Sequence, residues 1–155
     1  MFFGRETNLK IRVVLKQYIN KNKKAILAEI KIFTLMERLR KAQSGSELLK
    51  VLDQVNALTG VPLMLAYKVN ENLGEILMIH NGNCIEQWIG QLPSKVQKIN
   101  FAADMLRDVI LALKTLHELG YSHGDLKPEN VCARKRQQGD FRYTLIDFGL
   151  CQKLP

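Results

Sequence analysis

The chain has 155 residues, about one domain, and is long enough to bury a core. Its 46% hydrophobic and 25% charged residues are those of an ordinary globule, and no run approaches the ~20 apolar residues of a membrane-spanning helix. With 23 Lys and Arg against 15 Asp and Glu, the formal net charge is +8, which favours an anionic partner without choosing between nucleotide, nucleic acid, acidic protein and membrane surface.

The first expected element is a strand in "LKIRVVLKQYI", where Ile11, Val13 and Leu15 share one face. From Ala25 the period becomes helical, with Ile26, Phe33, Met36 and Leu39 recurring through "AILAEIKIFTLMERL". "KAQSGSE" breaks that helix, and Ser46 can start a second one through "ELLKVLDQVNAL". "TGVPLMLAYKV" and "GEILMIH" are apolar runs joined by "NENLG", the pattern of a two-stranded hairpin. "NGNCIEQWIGQLP" reads as a turn and a short helix, with Trp88 expected to pack that helix onto the next. Ser94 can cap a long helix through "KVQKINFAADMLRDVILALKTLHEL", and Gly120, free to adopt positive φ, ends it. Two short strands, "NVCAR" and "FRYTLID", follow around the turn "KRQQGD". The order is α+β, without a regular βαβ alternation and without internal repeats.

Between the long helix and the last strands lies "YSHGDLKPEN", with a histidine, an aspartate, a lysine and an asparagine around a proline. Turn formation alone accounts for Gly, Asp, Pro and Asn. The second hairpin supplies a partner: "YTLIDFGL" ends an apolar strand with Asp147, followed by Phe148 and Gly149. Asp125, Asn130 and Asp147 are therefore expected to meet at the open end of one short hairpin. Two carboxylates and an amide oxygen are hard ligands, suited to a Mg²⁺ ion that keeps waters and shares substrate phosphates.

"HGDLKPEN" followed by "LIDFGL" resembles the catalytic loop and metal-binding motif of the eukaryotic protein kinases, and Lys127 before Pro128 resembles the serine/threonine class. The resemblance implies a small lobe in residues 1–80, with strands and the helix called C, and the start of a large lobe in 81–155: hinge, helices D and E, and the catalytic-loop hairpin. Asp125 would accept the proton of the substrate hydroxyl and Lys127 would steady the transferred phosphoryl group. Asn130 and Asp147 would hold Mg²⁺. Lys16, ending "VVLK", resembles the family's strand lysine. Glu29 lies 29 − 16 = 13 positions later. At 100° per residue Glu29 falls within the stripe of Ile26, Phe33 and Met36, where a carboxylate is costly unless paired. Lys16 is the expected partner, and the pair would set the lysine on the α- and β-phosphates of ATP. The middle of the chain is similar to the casein kinase 1 family. That likeness makes Met78 the gatekeeper, puts backbone groups of Ile79 and Asn81 on adenine, and sets Cys132 below the base with Val14 above.

Four departures qualify the resemblance. Only Gly4 stands where the family has a G-x-G-x-x-G loop before the lysine. Gly124 replaces the arginine that grips a phosphorylated activation loop. "RLRKAQSGSELLKVLDQVNAL" inserts a helix. The sequence ends at Pro155, 155 − 149 = 6 residues past Gly149, which leads us to expect an incomplete domain, inactive on its own. The implied function is ATP-dependent phosphoryl transfer to protein hydroxyls. The alternative is a pseudokinase or interaction module without catalysis.

The basic clusters "KNKK" (21–24) and "ARKRQ" (133–137) read as solvated surface, and nucleic-acid binding is the third-ranked function. His80 and His117 have no Cys or His at metal spacing. Cys84, Cys132 and Cys151 are scattered and odd in number, which argues against a disulfide framework and for a reducing, cytoplasmic or nuclear setting. "MFFGRETNLK" shows no signal-peptide pattern, and neither a signal nor a membrane partner is expected.

Overall fold

A computed structural model of the chain describes residues 12–19, 23–43, 60–71, 73–136 and 139–155. The Gly4 turn, Ile11 and the inserted helix from Ser46 lie outside the described residues.

Strand β1 (Val13–Ile19) pairs antiparallel with β3 (Leu73–Ile79), which pairs in turn with β2 (Met64–Val69), giving the order β1-β3-β2. The expected β2–β3 hairpin therefore forms. Helix α1 (Lys23–Gln43) packs across this sheet and buries Ile26, Ile30, Phe33 and Met36 on one stripe, as the helical period predicts.

The strand alternation was legible, but its apolar face is the outer one: Val13 is 50% exposed and Leu15 53%. The inner face carries Lys16 and Tyr18 instead. The polar side can face inward because α1 places Glu29 opposite it, so neither the lysine nor the tyrosine hydroxyl is left without a partner.

Beyond β3 come the two-residue strand β4 (Asn83–Cys84), the short helix α2 (Ile85–Ile89) and the long helix α3 (Lys95–Glu118). Ser94 caps α3 by accepting the Gln97 N–H at 3.2 Å. Gly120, at φ +80°, turns the chain out of the helix. Strands β6 (Val131–Lys135) and β7 (Phe141–Leu145) form the expected second hairpin and, with β4, a sheet of order β4-β6-β7. Helix α3 buries Phe101, Val109, Ala112 and Leu116, and the Tyr143 hydroxyl donates to the Phe101 carbonyl at 2.9 Å.

Trp88 corrects one expectation. Its indole N–H donates to the Ala133 carbonyl at 2.8 Å and its ring meets Phe141 edge-on, so α2 is seated on the β6–β7 hairpin. Phe141 then contacts Phe101, which relays the packing to α3. A last pair, β5 (Tyr121–Ser122) with β8 (Gln152–Lys153), ties the end of α3 to the segment after Gly149. Pairs of two residues carry no readable alternation, and the sequence alone did not reveal them. The α+β order is the expected one.

Candidate active site

The centre of the site is Lys16. Its ammonium lies 2.9 Å from Glu29 Oε2 and 2.7 Å from Asp147 Oδ1, joining β1, α1 and the turn after β7. Glu29 is 1% exposed, so its carboxylate requires donors. It has three: Lys16, the Tyr18 hydroxyl in a very short bond, and the Phe148 backbone N–H at 3.4 Å. Burial by itself would lower the Lys16 pKa. Glu29 and then Asp147 outweigh it and hold the ammonium above the usual lysine value. Burial, then the Glu29 charge, raise the Tyr18 hydroxyl, which stays protonated and donating. The Lys16 ammonium also sits 5.0 Å from the centre of the Tyr18 ring.

A second cluster surrounds Asp125. Its Oδ2 is 2.7 Å from the Lys127 ammonium and 3.0 Å from Asn130 Nδ2, which also donates to the Asp125 carbonyl at 2.8 Å. The hydrogen bond from Lys127 is the largest influence on Asp125 and holds its carboxyl below the usual range, so it is ionised at neutral pH. Asp125 in turn raises Lys127. The loop is held from beneath by His123, buried at 2% exposure. Its Nε2 donates to the Ile146 carbonyl at 3.0 Å, and its Nδ1 accepts the Asp125 N–H at 3.3 Å.

The two clusters are joined by backbone. The Ile146 N–H donates to the Asn130 carbonyl at 2.8 Å, which sets the single 3₁₀ turn Pro128–Asn130 beside the end of β7. Asp147 then adopts φ +64°, a left-handed conformation costly for a residue with a Cβ. That turn drives Phe148 inward to full burial between Phe33 and His123, with ring centres 5.7 and 5.1 Å apart. It leaves the Asp147 carboxylate partly open, facing Lys16.

The sequence reading placed Lys16, Glu29, Asp125, Lys127, Asn130 and Asp147 in one site. The structure brings them together as two bonded clusters on one backbone frame. Asp147 contacts Lys16. Among the described residues no three His, Cys, Asp or Glu side chains cluster as a metal site. The donor chemistry nevertheless fits Mg²⁺. The Asn130 amide nitrogen is committed to Asp125, which leaves its oxygen as the ligand atom, and Asp147 has a second carboxylate oxygen beyond the one on Lys16. A set this sparse suits a cation that takes its remaining ligands from phosphate and water.

On the other side of the site, Val14 pairs across the strands with Met78. The Ile79 N–H is spent on the Leu63 carbonyl at 2.9 Å, and the Ile79 carbonyl accepts Asn81 Nδ2 at 2.7 Å. The Ile79 N–H is therefore committed within the fold. Cys132 lies on β6, buried, opposite Cys84. Burial raises its thiol to about 12. A cavity of about 420 Å³ between α2, α3 and the β6–β7 turn is lined by Trp88, Phe101 and Phe141 among others and shares none of these residues.

Sequence reasoning passed over Tyr18 and the Phe33–Phe148–His123 stack. The signal for Tyr18 was its position two residues after Lys16, on the same strand face. Phe33 was visible only as one member of an apolar stripe.

The protein kinase domain model matches residues 5–155. The serine/threonine-protein kinase dkf-1 of Caenorhabditis elegans is 29% identical over 127 residues, 77% of this chain and 17% of that protein. A Caenorhabditis elegans protein named for casein kinase I is 27% identical over 104 residues, 67% of this chain and 30% of that one. Among solved structures, that of vaccinia related kinase 3 is similar at TM-score 0.62 and 17% identity, covering 91% of this chain and 41% of that chain. The chain thus spans less than a third of each of these two curated relatives and under half of the solved chain. Its fold is protein-kinase-like, a partial α+β kinase domain with small-lobe strands and helices. With nearly its whole length matched by the domain model, the chain belongs to the protein kinase family.

Proposed function

We propose that the chain serves ATP-dependent phosphoryl transfer to serine or threonine hydroxyls of a protein substrate, with Mg²⁺. The observation that carries this reading is the ammonium of Lys16 held at once by Glu29 and Asp147. A lysine fixed by two carboxylates, one buried and one facing outward, is a positioned cation for phosphate oxygens. Residues 1–80 form the small-lobe part in this reading and 81–155 the start of the large lobe. Mg²⁺, when bound, supplies charge neutralisation between the phosphates. Asn130 and Asp147 would hold it, and Lys16 would meet the phosphates. Asp125 is ionised and accepts the hydroxyl proton. Lys127, bonded to Asp125, is placed to steady the transferred group. The base lies between Val14 above and Cys132 below, behind Met78, against Ile79 and Asn81. The similarity to a protein named for casein kinase I supports a casein kinase 1-like subclass.

The test is calorimetric titration of Mg²⁺-ATP into the wild-type chain and Asp147→Ala. Removing one charged ligand should weaken binding roughly 10- to 100-fold. Equal affinities would remove the metal assignment.

A second reading, a kinase-like interaction module without catalysis, is favoured by the apolar residues exposed on α3. Capture of a partner by a chain that binds no nucleotide would support it.

A further inference from the structure

The three cysteines are scattered in sequence, yet two of them meet in space. β4 and β6 run antiparallel with Cys84 paired directly to Cys132 and Asn83 to Ala133. Directly opposed residues project from one face of the sheet with Cβ atoms about 4.5–5.5 Å apart. A disulfide needs about 3.5–4.5 Å, so closure takes about 1 Å of movement. β4 has only two residues, and Cys84 itself makes the step into α2 without a side-chain cap, so little opposes that movement. Cys84 Sγ donates to the Glu129 carbonyl at 3.4 Å. Cys84 is partly open to solvent and Cys132 is buried. Both are free thiols, as is Cys151, which lies near Glu29 and Asp147 instead.

We infer that Cys84 and Cys132 are a redox modification site, which a hydroperoxide converts to an intramolecular disulfide. The accessible Cys84 sulfur attacks a peroxide oxygen, the O–O bond breaks, and one water leaves with the thiol proton. The sulfenic acid formed on Cys84 is then attacked by the Cys132 sulfur, which expels the hydroxyl as a second water with the second thiol proton. Two thiols lose two electrons and two protons, and one hydrogen peroxide is reduced to two waters. The bond fixes the segment between β3 and α2 to the hairpin strand that follows Asn130. It forms whether or not the chain transfers phosphate, so failure here and failure of the proposed function are separable.

The test uses the reduced full chain treated with one equivalent of hydrogen peroxide, followed by peptide mass mapping without reductant. A Cys84–Cys132 peptide lighter by two hydrogens should form, revert with dithiothreitol, and form faster in the folded chain than in urea. Cys84→Ser should abolish it, while Cys151→Ser should leave it unchanged. A cross-link through Cys151, a cross-link only between chains, overoxidation of Cys84 without a cross-link, or equal rates in urea would overturn the inference.

Discussion

His123 shows how one buried side chain makes the site pH-sensitive. Both ring nitrogens are in use, Nε2 as donor to Ile146 and Nδ1 as acceptor from the Asp125 N–H. Protonation would put a hydrogen on Nδ1, facing an N–H. Burial is the main influence and lowers the pKa from 6.5, against weaker opposing effects from Ile146, Asp147 and Asp125. A folded-state value below the unfolded one means that the native chain binds this proton less tightly. The neutral ring therefore contributes stability that is complete above about pH 6.5 and is lost as pH falls toward the folded-state value. Thermal midpoints of wild type and His123→Gln should both be followed between about pH 7 and about pH 5. The wild type should lose more over that range; parallel curves would show that His123 titrates normally. Glu29 was legible once the motifs around Asp125 and Asp147 were in view: an acid inside an apolar stripe demands a cation, and Lys16 was at hand. Tyr18 was not, because a tyrosine on a strand is ordinary until the carboxylate beneath it is known.

The segment between β5 and the 3₁₀ turn shows which element boundaries a sequence reveals. Ser94 and Gly120 mark the ends of α3 through side-chain capping and positive φ, both of which are properties of single residue types. β4, β5 and β8 depend on partners distant in sequence, so neither the Cys84–Cys132 pairing nor the β5–β8 clasp could be read in advance. Gly124 was read as the loss of a phosphate-gripping arginine. Its geometry adds a reason why glycine stands there. It has φ +79°, and a Cβ would lie 2.3 Å from the Leu150 carbonyl oxygen, a backbone atom that cannot move aside cheaply. Restoring the arginine should therefore destabilise the chain by about 1–3 kcal/mol, as strain and displacement of the segment that β8 anchors. Chemical denaturation of Gly124→Arg measures this, and stability equal to wild type would show that the segment shifts freely.

Across the whole molecule, two forces of opposite sign act between copies of the chain. The formal charge of +8 keeps copies apart. Against it stand Val96, Ile99, Leu106 and Ile110, each at least 54% exposed and spaced three, seven and four residues apart along α3. That spacing makes one continuous seam on a helix of 24 residues, the pattern that two helices bury against each other. Fully covering one such side chain is worth about 1.5–3 kcal/mol, so four of them outweigh a repulsion that salt reduces within a Debye length of about 8–10 Å. The 155-residue chain should therefore self-associate at micromolar concentration, and more strongly as salt is raised. Attraction between charges of opposite sign would weaken with salt instead, so the direction of the salt effect identifies the force. Light scattering coupled to size exclusion, at low and high salt, reads both the mass and its trend. The double variant Leu106→Lys, Ile110→Glu removes the C-terminal half of the seam without touching Val109, Ala112 or Leu116, which α3 buries against the rest of the fold. It should elute as a monomer under both conditions. A wild-type chain that is already monomeric, or a double variant that associates as strongly, would show that this face does not govern the state of the molecule.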